Sequence, residues 1–379
     1  MLRRWRRTRP ADVVLAATRV YSGLPVVGKH LEPFAGLTAL ALWGGHYAPA
    51  TVQGAIGRRR GTGAVAQETI DEQPLTLDAA TALTRQQTPG RVPPFLRARG
   101  QRRQCLYQSS IQYGDHPAQL LDVWRRPDLP PNAPVLLFVP GGAWVQGTRV
   151  LQAHTLLSHL VRRGWVCLTM DYRVSPVHRW PRHIGDVNAA IAWARSHVDE
   201  FGGDRDFVAI AGCSAGGHLA ALAGLTPGDP AFRGELSEDA DTSVDAVVGI
   251  YGRYDWQDRS TPTRKNFQGF LERVVVRRSQ ARHPEIFAAA SPIARIHAEA
   301  PPFLVIHGEQ DTIIPVGEAR QFHSALAEVS RNPVKYCELP RAGHGFDLVD
   351  SSHARRCAVE TGNFLAQVRD SHVQRRIAV

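Results

Sequence analysis

The chain has 379 residues and a mass of 41.7 kDa, which suits one large domain or two ordinary ones. Hydrophobic residues make up 43% of it and charged residues 21%, so it can bury a sizeable core and is not intrinsically disordered. The five cysteines include no Cys-x-x-Cys pair, and their number is odd. This pattern argues against both a disulfide framework and a zinc ribbon.

The formal net charge of +10 is concentrated at the N-terminus. Residues 1–104 contain 16 Lys and Arg against 6 Asp and Glu, whereas opposite charges balance over residues 105–379. The basic cluster at residues 3–9 predicts peripheral contact with acidic lipid head groups, although a solvated tail is the simpler alternative. No recognition motif accompanies the charge, so we do not expect nucleic-acid binding.

The rest of this basic N-terminal extension gives weaker signals. Residues 35–57 carry no charged side chain, a length that can span a bilayer, but their glycines favour an interfacial or core-docking helix. Residues 58–104 are interpreted as a loop-rich linker with one helical stretch at 78–87. The N-terminus does not resemble a secretory signal peptide, so we expect a cytoplasmic protein that can attach peripherally to the membrane.

From residue 105 onward, apolar runs typical of buried strands alternate with segments of helical periodicity. The predicted strands are 105–113, 119–124, 135–139, 165–170, 207–212, 244–251, 303–307 and 334–339. The predicted helices are 152–163, 183–198, 215–225, 316–329 and 353–368. This alternation predicts an α/β catalytic domain over residues 105–379, with a mainly parallel sheet covered by helices on both faces. Such sheets carry their reactive groups beyond the carboxyl ends of the strands.

The strongest chemical signal is Gly212-Cys-Ser-Ala-Gly216, a Gly-x-Ser-x-Gly pattern where a predicted strand meets a helix. A sharp turn at this junction exposes the serine hydroxyl, and small flanking residues let the strand and helix approach each other. We therefore predict Ser214 as a nucleophile and not as part of a simple glycine-rich turn. Cys213 occupies the variable position and is interpreted as a small packed residue.

A serine nucleophile needs a base and a group that orients the base. His344 lies between two glycines just after the last predicted strand, and Asp311 lies just past the strand at 303–307. The order serine, aspartate, histidine along the chain is that of the α/β-hydrolases. Glu309 and Asp347 are the alternative acids. His218 and His307 are interpreted as structural histidines.

Acyl transfer also requires hydrogen-bond donors for the oxyanion that forms on the carbonyl. Pro140-Gly-Gly-Ala-Trp144 follows the strand at 135–139 and has the place and composition of an oxyanion loop. The backbone N–H groups of Gly141, Gly142 and Ala143 are available as donors, and that of Ala215 lies at a helix start. The alternative is a plain glycine turn.

These motifs together resemble α/β-hydrolase-fold carboxylesterases and lipases of the hormone-sensitive-lipase-like group, including bacterial, mycobacterial-type esterases. The matching segments span about residues 135–350, and further matches are Asp171-Tyr-Arg173, Asp186, Phe201-Gly-Gly-Asp204, His307-Gly-Glu-Gln-Asp311 and Gly343-His-Gly-Phe346. The same pattern is similar to isoprenylcysteine methylesterases and kynurenine formamidases. Two positions depart from the family: Pro140 replaces its usual histidine, and Cys213 replaces its common aspartate.

The resemblance implies a Ser214–Asp311–His344 triad and an oxyanion hole from Gly141, Gly142 and Ala215. Ala143 is an alternative donor that depends on the register of the loop. The resemblance also implies a cap over the site, built from part of residues 1–104 and an insertion at about 253–290. The aromatic residues of that insertion either line an acyl pocket or form the core of the cap. We predict substrate contacts at Trp144 and Tyr251.

The sequence therefore predicts a serine carboxylesterase or lipase that hydrolyses small-molecule or lipid esters through an acyl-enzyme. No metal or organic cofactor is expected. One alternative is an amide or formamide hydrolase, or a methylesterase that acts on a lipidated substrate. The other is a catalytically silent, membrane-associated binding protein. The sequence leaves the oligomeric state open.

Overall fold

The computed structural model describes residues 94–377, which form one eight-stranded sheet covered by helices. The strands are β1 (Leu106–Gln112), β2 (Leu120–Trp124), β3 (Ala133–Val139), β4 (Val166–Met170), β5 (Gly203–Cys213), β6 (Ala246–Ile250), β7 (Phe303–Gly308) and β8 (Val334–Leu339). Their spatial order is β1-β2-β4-β3-β5-β6-β7-β8. β2 pairs antiparallel with β1 and β4, and all other neighbours are parallel. The predicted α/β-hydrolase fold is confirmed.

Helices cover both faces of this sheet. They are α1 (Pro94–Cys105), α2 (His154–Arg162), α3 (Arg182–His197), α4 (Ala215–Leu225), α5 (Pro262–Phe270), α6 (Pro284–Ala289), α7 (Val316–Val329) and α8 (Ser352–Ile377). Side chains of β3 alternate between two cores: Val135 and Leu137 join the core beneath α3, α4 and α7, while Leu136 and Phe138 join the core beneath α2 and α8. A strand buried on both faces reads as a continuous apolar run for this reason.

The C-terminal end of the expected loop-rich linker, residues 58–104, is helical: α1 begins at Pro94. The expectation of a loop is wrong for this part. Arg97 pairs with Asp350 at 3.1 Å, and Arg102 pairs with the fully buried Asp122 at 2.5 Å. The helix is rich in arginine and lacks apolar periodicity, so its pattern was that of a solvated loop. It crosses the predicted domain boundary at residue 104, and its ion pairs join it to the catalytic domain.

The other N-terminal predictions, including the basic cluster, the uncharged stretch at 35–57 and the helix at 78–87, lie outside the described residues. Within residues 94–377, no helix is both long and apolar enough to span a bilayer.

The insertion between β6 and β7 contains α5, a π-helical turn at Leu271–Val275 and α6. Its aromatic side chains are at most 5% exposed, and they join the core that also contains Trp144 and Trp180. They are Trp256, Phe267, Phe270 and Phe287. Of the two alternatives left open by the sequence, the structure therefore favours a packed core for this segment.

Candidate active site

Ser214 occupies a sharp turn between β5 and α4 at the carboxyl edge of the sheet. Its φ of 54° and ψ of −119° lie outside the regions that side-chain-bearing residues usually adopt. The surrounding backbone is so close that a Cβ on Gly212 would lie 2.2 Å from the Gly216 oxygen. A Cβ on Gly216 would lie 2.0 Å from the Val139 oxygen. The glycines of the motif are thus required by backbone packing, which holds the serine in its strained conformation.

The structure brings Ser214, His344 and Asp311 together in one hydrogen-bonded line. The Ser214 Oγ lies 2.9 Å from His344 Nε2, and His344 Nδ1 donates to Asp311 Oδ2 at 2.7 Å. Ser214 and His344 are partly exposed, whereas the Asp311 side chain is fully buried. This is the geometry needed for a base that removes the serine proton while an acid fixes the imidazole tautomer.

Asp311 is held by more contacts than the histidine alone. Its Oδ1 accepts hydrogen bonds from the Ile313 and Ile314 N–H groups, at 2.9 and 2.8 Å. His307 Nε2 lies 2.9 Å from the Ile314 oxygen and 3.3 Å from Asp311 Oδ2. Burial by itself raises the pKa of Asp311, but the hydrogen bonds from His307, His344 and the backbone outweigh it and hold the pKa well below its usual range. Asp311 therefore stays ionised throughout the neutral and mildly acidic range.

The alternative acids have other partners. Glu309 accepts a hydrogen bond from the Arg341 N–H at 2.9 Å. The buried Asp347 accepts one from the Tyr251 hydroxyl, and burial raises its pKa. Within the described chain, neither carboxylate is hydrogen-bonded to His344. Asp311 is thus the acid in position to orient the base.

Trp144 and Tyr251, predicted to contact substrate, are both 2% exposed. The Trp144 indole donates to His218 at 3.2 Å and packs edge-on against Trp256. The Tyr251 ring lies 4.7 Å from the His344 ring, centroid to centroid. These contacts give each side chain a structural role, and substrate contact by either residue stays a prediction.

The oxyanion loop differs from the expectation in one donor. The Gly141 N–H already donates to Gln152 Oε1 at 2.7 Å, so it is not open to an oxyanion. The N–H groups of Gly142 and Ala143 have no acceptor among residues 94–377. The Ala215 N–H, at the first position of α4, has no partner within its helix. Of the four predicted donors, Gly142, Ala143 and Ala215 therefore have N–H groups without an acceptor among residues 94–377.

Sequence reasoning missed Gln152, and no motif marks it: it lies 11 residues after Gly141 in an irregular loop. It also classed His307 as structural without linking it to Asp311. Within residues 94–377, no three His, Cys, Asp or Glu side chains are arranged to hold a metal ion.

Comparisons with known proteins agree with this geometry. The model of the BD-FAE family matches residues 121–326. Esterase LipC of Mycobacterium tuberculosis is 53% identical, over 97% of this chain and 94% of its own length. The probable carboxylic ester hydrolase LipM of the same organism is 46% identical, over 70% of this chain and 62% of its own length.

Among solved structures, esterase Est2 of Thermogutta terrifontis aligns with a TM-score of 0.58. It covers 68% of this chain and 91% of its own, at 23% identity, and so supports the fold alone. The predicted resemblance to hormone-sensitive-lipase-like bacterial esterases is confirmed by the sequence relatives. The chain therefore belongs to the BD-FAE family and is a carboxylic ester hydrolase with the α/β-hydrolase fold.

Proposed function

We propose that this enzyme hydrolyses carboxylic esters by two-step acyl transfer, with Ser214 as nucleophile, His344 as general acid–base and Asp311 as the orienting acid. The observation that carries the proposal is the line of contacts from Ser214 Oγ through the imidazole to Asp311, at 2.9 and 2.7 Å. Each distance lies within the range required for proton transfer or orientation. The partly exposed position of Ser214 at the sheet edge adds the access that an ester carbonyl needs.

In the first step, the Ser214 proton passes to His344 Nε2 as Oγ forms a bond with the ester carbonyl carbon. The carbonyl oxygen takes the negative charge, and backbone N–H groups of the oxyanion loop and of Ala215 stabilise it. His344 then gives its proton to the leaving alcohol as the C–O bond breaks. Water repeats the sequence on the acyl-enzyme, which releases the acid and restores the serine.

The charge of Asp311 is central to this cycle. When His344 becomes an imidazolium, the adjacent carboxylate stabilises it without accepting its proton. The low pKa of Asp311, set by its hydrogen bonds, supports this role because it keeps the carboxylate ionised beside the imidazolium.

We further propose short to medium acyl esters as the substrates. Phe267 packs against Phe270 and Trp144, and Trp256 packs against Trp180, so the insertion's core has little room for a long acyl chain. Close-packed protein interiors contain few voids larger than a water molecule. The support is the burial of Trp256, Phe267 and Phe287, which are at most 5% exposed.

The experiment combines fluorophosphonate labelling of the full-length protein, mapped by peptide mass spectrometry, with hydrolysis of nitrophenyl esters from acetate to palmitate. Ser214→Ala is the test variant. Ser196→Ala is its control, because that exposed serine hydrogen-bonds only to its own helix, at Ala192. We expect labelling at Ser214 alone, loss of hydrolysis only in Ser214→Ala, and rates that decline beyond medium chains.

Labelling at another residue, or unchanged hydrolysis by Ser214→Ala, would contradict the proposed nucleophile. A formanilide and a prenylcysteine methyl ester in the same panel distinguish the formamidase and methylesterase alternatives. Higher kcat/KM on either of these than on every simple ester would replace the proposed substrate class.

A further inference from the structure

Gln152 contacts both the oxyanion loop and the residue that precedes Ser214. Its side-chain oxygen accepts the Gly141 N–H at 2.7 Å and the Cys213 thiol at 2.9 Å. Both partners are donors, which assigns the oxygen and not the nitrogen of the amide to this position. Gly141 belongs to the oxyanion loop, and Cys213 directly precedes the nucleophile. One side-chain atom thus joins the two segments that must act together on the carbonyl.

Cys213 is suited to its part of this contact. The side chain is fully buried, and burial raises the pKa of the thiol well above its usual range. The group therefore keeps its proton at neutral pH and can donate it to Gln152.

The oxyanion loop has a strained backbone that needs support from outside. Gly142, Ala143 and Trp144 have φ values of 135°, 53° and 59°, and the last two residues carry side chains. Such conformations cost of order 1–3 kcal/mol each and persist only where the surroundings enforce them. At the far end of the loop, the Trp144 carbonyl accepts hydrogen bonds from the Ser175 N–H at 2.8 Å and from His183 at 3.1 Å.

The near end of the loop begins at Pro140, which has no N–H to donate. Its carbonyl accepts a hydrogen bond from the Tyr172 hydroxyl at 3.1 Å. The next residue, Gly141, lies close to the sharp turn between β5 and α4 that carries Ser214, which we call the elbow. A Cβ on Gly141 would be 2.7 Å from the Cys213 oxygen. The Pro140 carbonyl and the Gly141 N–H belong to one peptide group, whose direction is fixed by Tyr172 on one side and by Gln152 on the other.

We propose that Gln152 is a positioning residue for ester hydrolysis. By holding the Gly141 N–H, it removes that group from the oxyanion hole and orients the following peptides, so that Gly142, Ala143 and Ala215 supply the donors. This inference rests on the proposed role of Ser214. It assigns to Gln152 the ordering of a loop that begins at Pro140, which has no N–H to donate.

The test compares Gln152→Met with wild type in the full-length protein. Methionine has a similar length but lacks the amide oxygen. Gln310→Met is the matched control, because the exposed Gln310 lies at the same sheet edge outside the proposed machinery. The measurements are kcat and KM on nitrophenyl acetate, and the affinity for an aryl trifluoromethyl ketone. That ketone forms a tetrahedral adduct with the serine, and its oxygen occupies the oxyanion hole.

We expect kcat of Gln152→Met to fall between about tenfold and a hundredfold, since small displacements of catalytic groups have effects of this size. KM should stay within about twofold of wild type, and the affinity for the ketone should weaken by the same factor as kcat/KM. Gln310→Met should match wild type. A rise in KM alone, or a wild-type kcat in Gln152→Met, would overturn the proposal.

Two further measurements cover a variant that folds poorly. Gln152→Asn keeps the amide but shortens the side chain, so its oxygen should not reach Gly141, and kcat should fall as in Gln152→Met. Hydrogen exchange of the peptide around Gly141 should be faster in both variants, and unchanged exchange would contradict the contact. Failure of the underlying function appears separately, as a wild-type enzyme without a Ser214 adduct.

Discussion

Ser214 and His344 meet at 2.9 Å, yet the two side chains are held by different means. Ser214 is fixed by backbone packing: Gly212, Gly216 and Gly141 lie where any added Cβ would come within 3 Å of a backbone oxygen. No side-chain hydrogen bond is needed to form this turn. Ser214 therefore owes its position to close contact between β3, β5 and α4.

His344 lies on a loop that depends on hydrogen bonds and ring contacts. Its ring bonds to Asp311, which is held in turn by two backbone N–H groups and by His307. Its other side faces the ring of Tyr251, whose hydroxyl donates to Asp347. The position of His344 thus depends on a network of polar partners, each of which a single substitution can remove.

This difference predicts different effects for substitutions around Ser214 and around His344. Packing of backbone against backbone tolerates no added methyl group, so substitutions at the elbow should affect stability and activity together. A polar network can lose one partner and keep the fold. Substitutions around His344 should therefore lower activity with smaller effects on stability.

The largest effect is expected from Asp311→Asn. The amide no longer holds the imidazole in the required tautomer or stabilises the imidazolium, so kcat should fall by about ten-thousandfold. Steady-state kinetics measure the loss, and circular dichroism tests whether the fold survives. Asp347→Asn, on the loop that carries His344, is the control, and it should lose far less activity. Equal losses in the two variants would contradict the assignment of the acid.

The next largest effect concerns the elbow. Gly216→Ala places a Cβ 2.0 Å from the Val139 oxygen, so the free energy of unfolding should fall by at least about 3 kcal/mol. Gly317→Ala is the control, because a Cβ there meets nothing within 4 Å and alanine favours a helix by up to about 1 kcal/mol. Urea unfolding measures both. Similar stability of the two variants would show that the elbow can relax.

Acid should weaken the core beneath the oxyanion loop. Burial lowers the pKa of His183 and His218 to about 3, whereas both titrate near 6.5 once unfolded. Between pH 6.5 and 3 the unfolded chain binds protons that the folded chain does not, so stability falls as the pH falls. Each histidine contributes about 1.4 kcal/mol per pH unit in this window.

Urea unfolding at pH 7, 6 and 5 measures this slope. Asp311 does not add to it, because a lowered carboxylate pKa contributes stability that is lost only below the unfolded value near 4. His218→Gln should reduce the slope. A flat stability profile from pH 7 to 5 would contradict the burial of neutral histidines.

The smallest effect is expected from Tyr251→Phe. The ring contact with His344 remains, so kcat should fall by less than about tenfold. The buried Asp347 loses its hydroxyl partner, which should cost about 1–3 kcal/mol of stability. A Tyr251→Phe, Asp347→Asn double-mutant cycle measures the coupling. A stability loss without coupling would assign the effect to packing instead.

The contrast between backbone packing at Ser214 and polar contacts at His344 also determines how much of the site the sequence predicts. Close packing restricts some positions to glycine or to apolar residues. The sequence therefore predicts the strands, the elbow and the order Ser214, Asp311, His344. Hydrogen-bond partners brought together by the fold leave no such pattern. Gln152 and the pair formed by Tyr251 and Asp347 appear only in the structure.

Helix α1 was missed for a related reason. The helix contains many arginines and no regular spacing of apolar residues. Its contacts to the domain are ion pairs with acids far along the chain, such as Arg97 with Asp350, and these cannot be recognised from the local sequence. The contact between Gly141, a predicted oxyanion donor, and Gln152 could not be predicted, because Gln152 lies in a segment without a motif.

The central claim, that Ser214 carries the acyl group between the two steps, is tested most directly by rapid mixing with a slowly deacylating nitrophenyl ester. We predict a burst of about one equivalent of nitrophenolate and an intact-protein mass increased by the acyl group. Peptide mapping should place that group on Ser214. The absence of both burst and adduct, with steady turnover that persists in Ser214→Ala, would contradict the account.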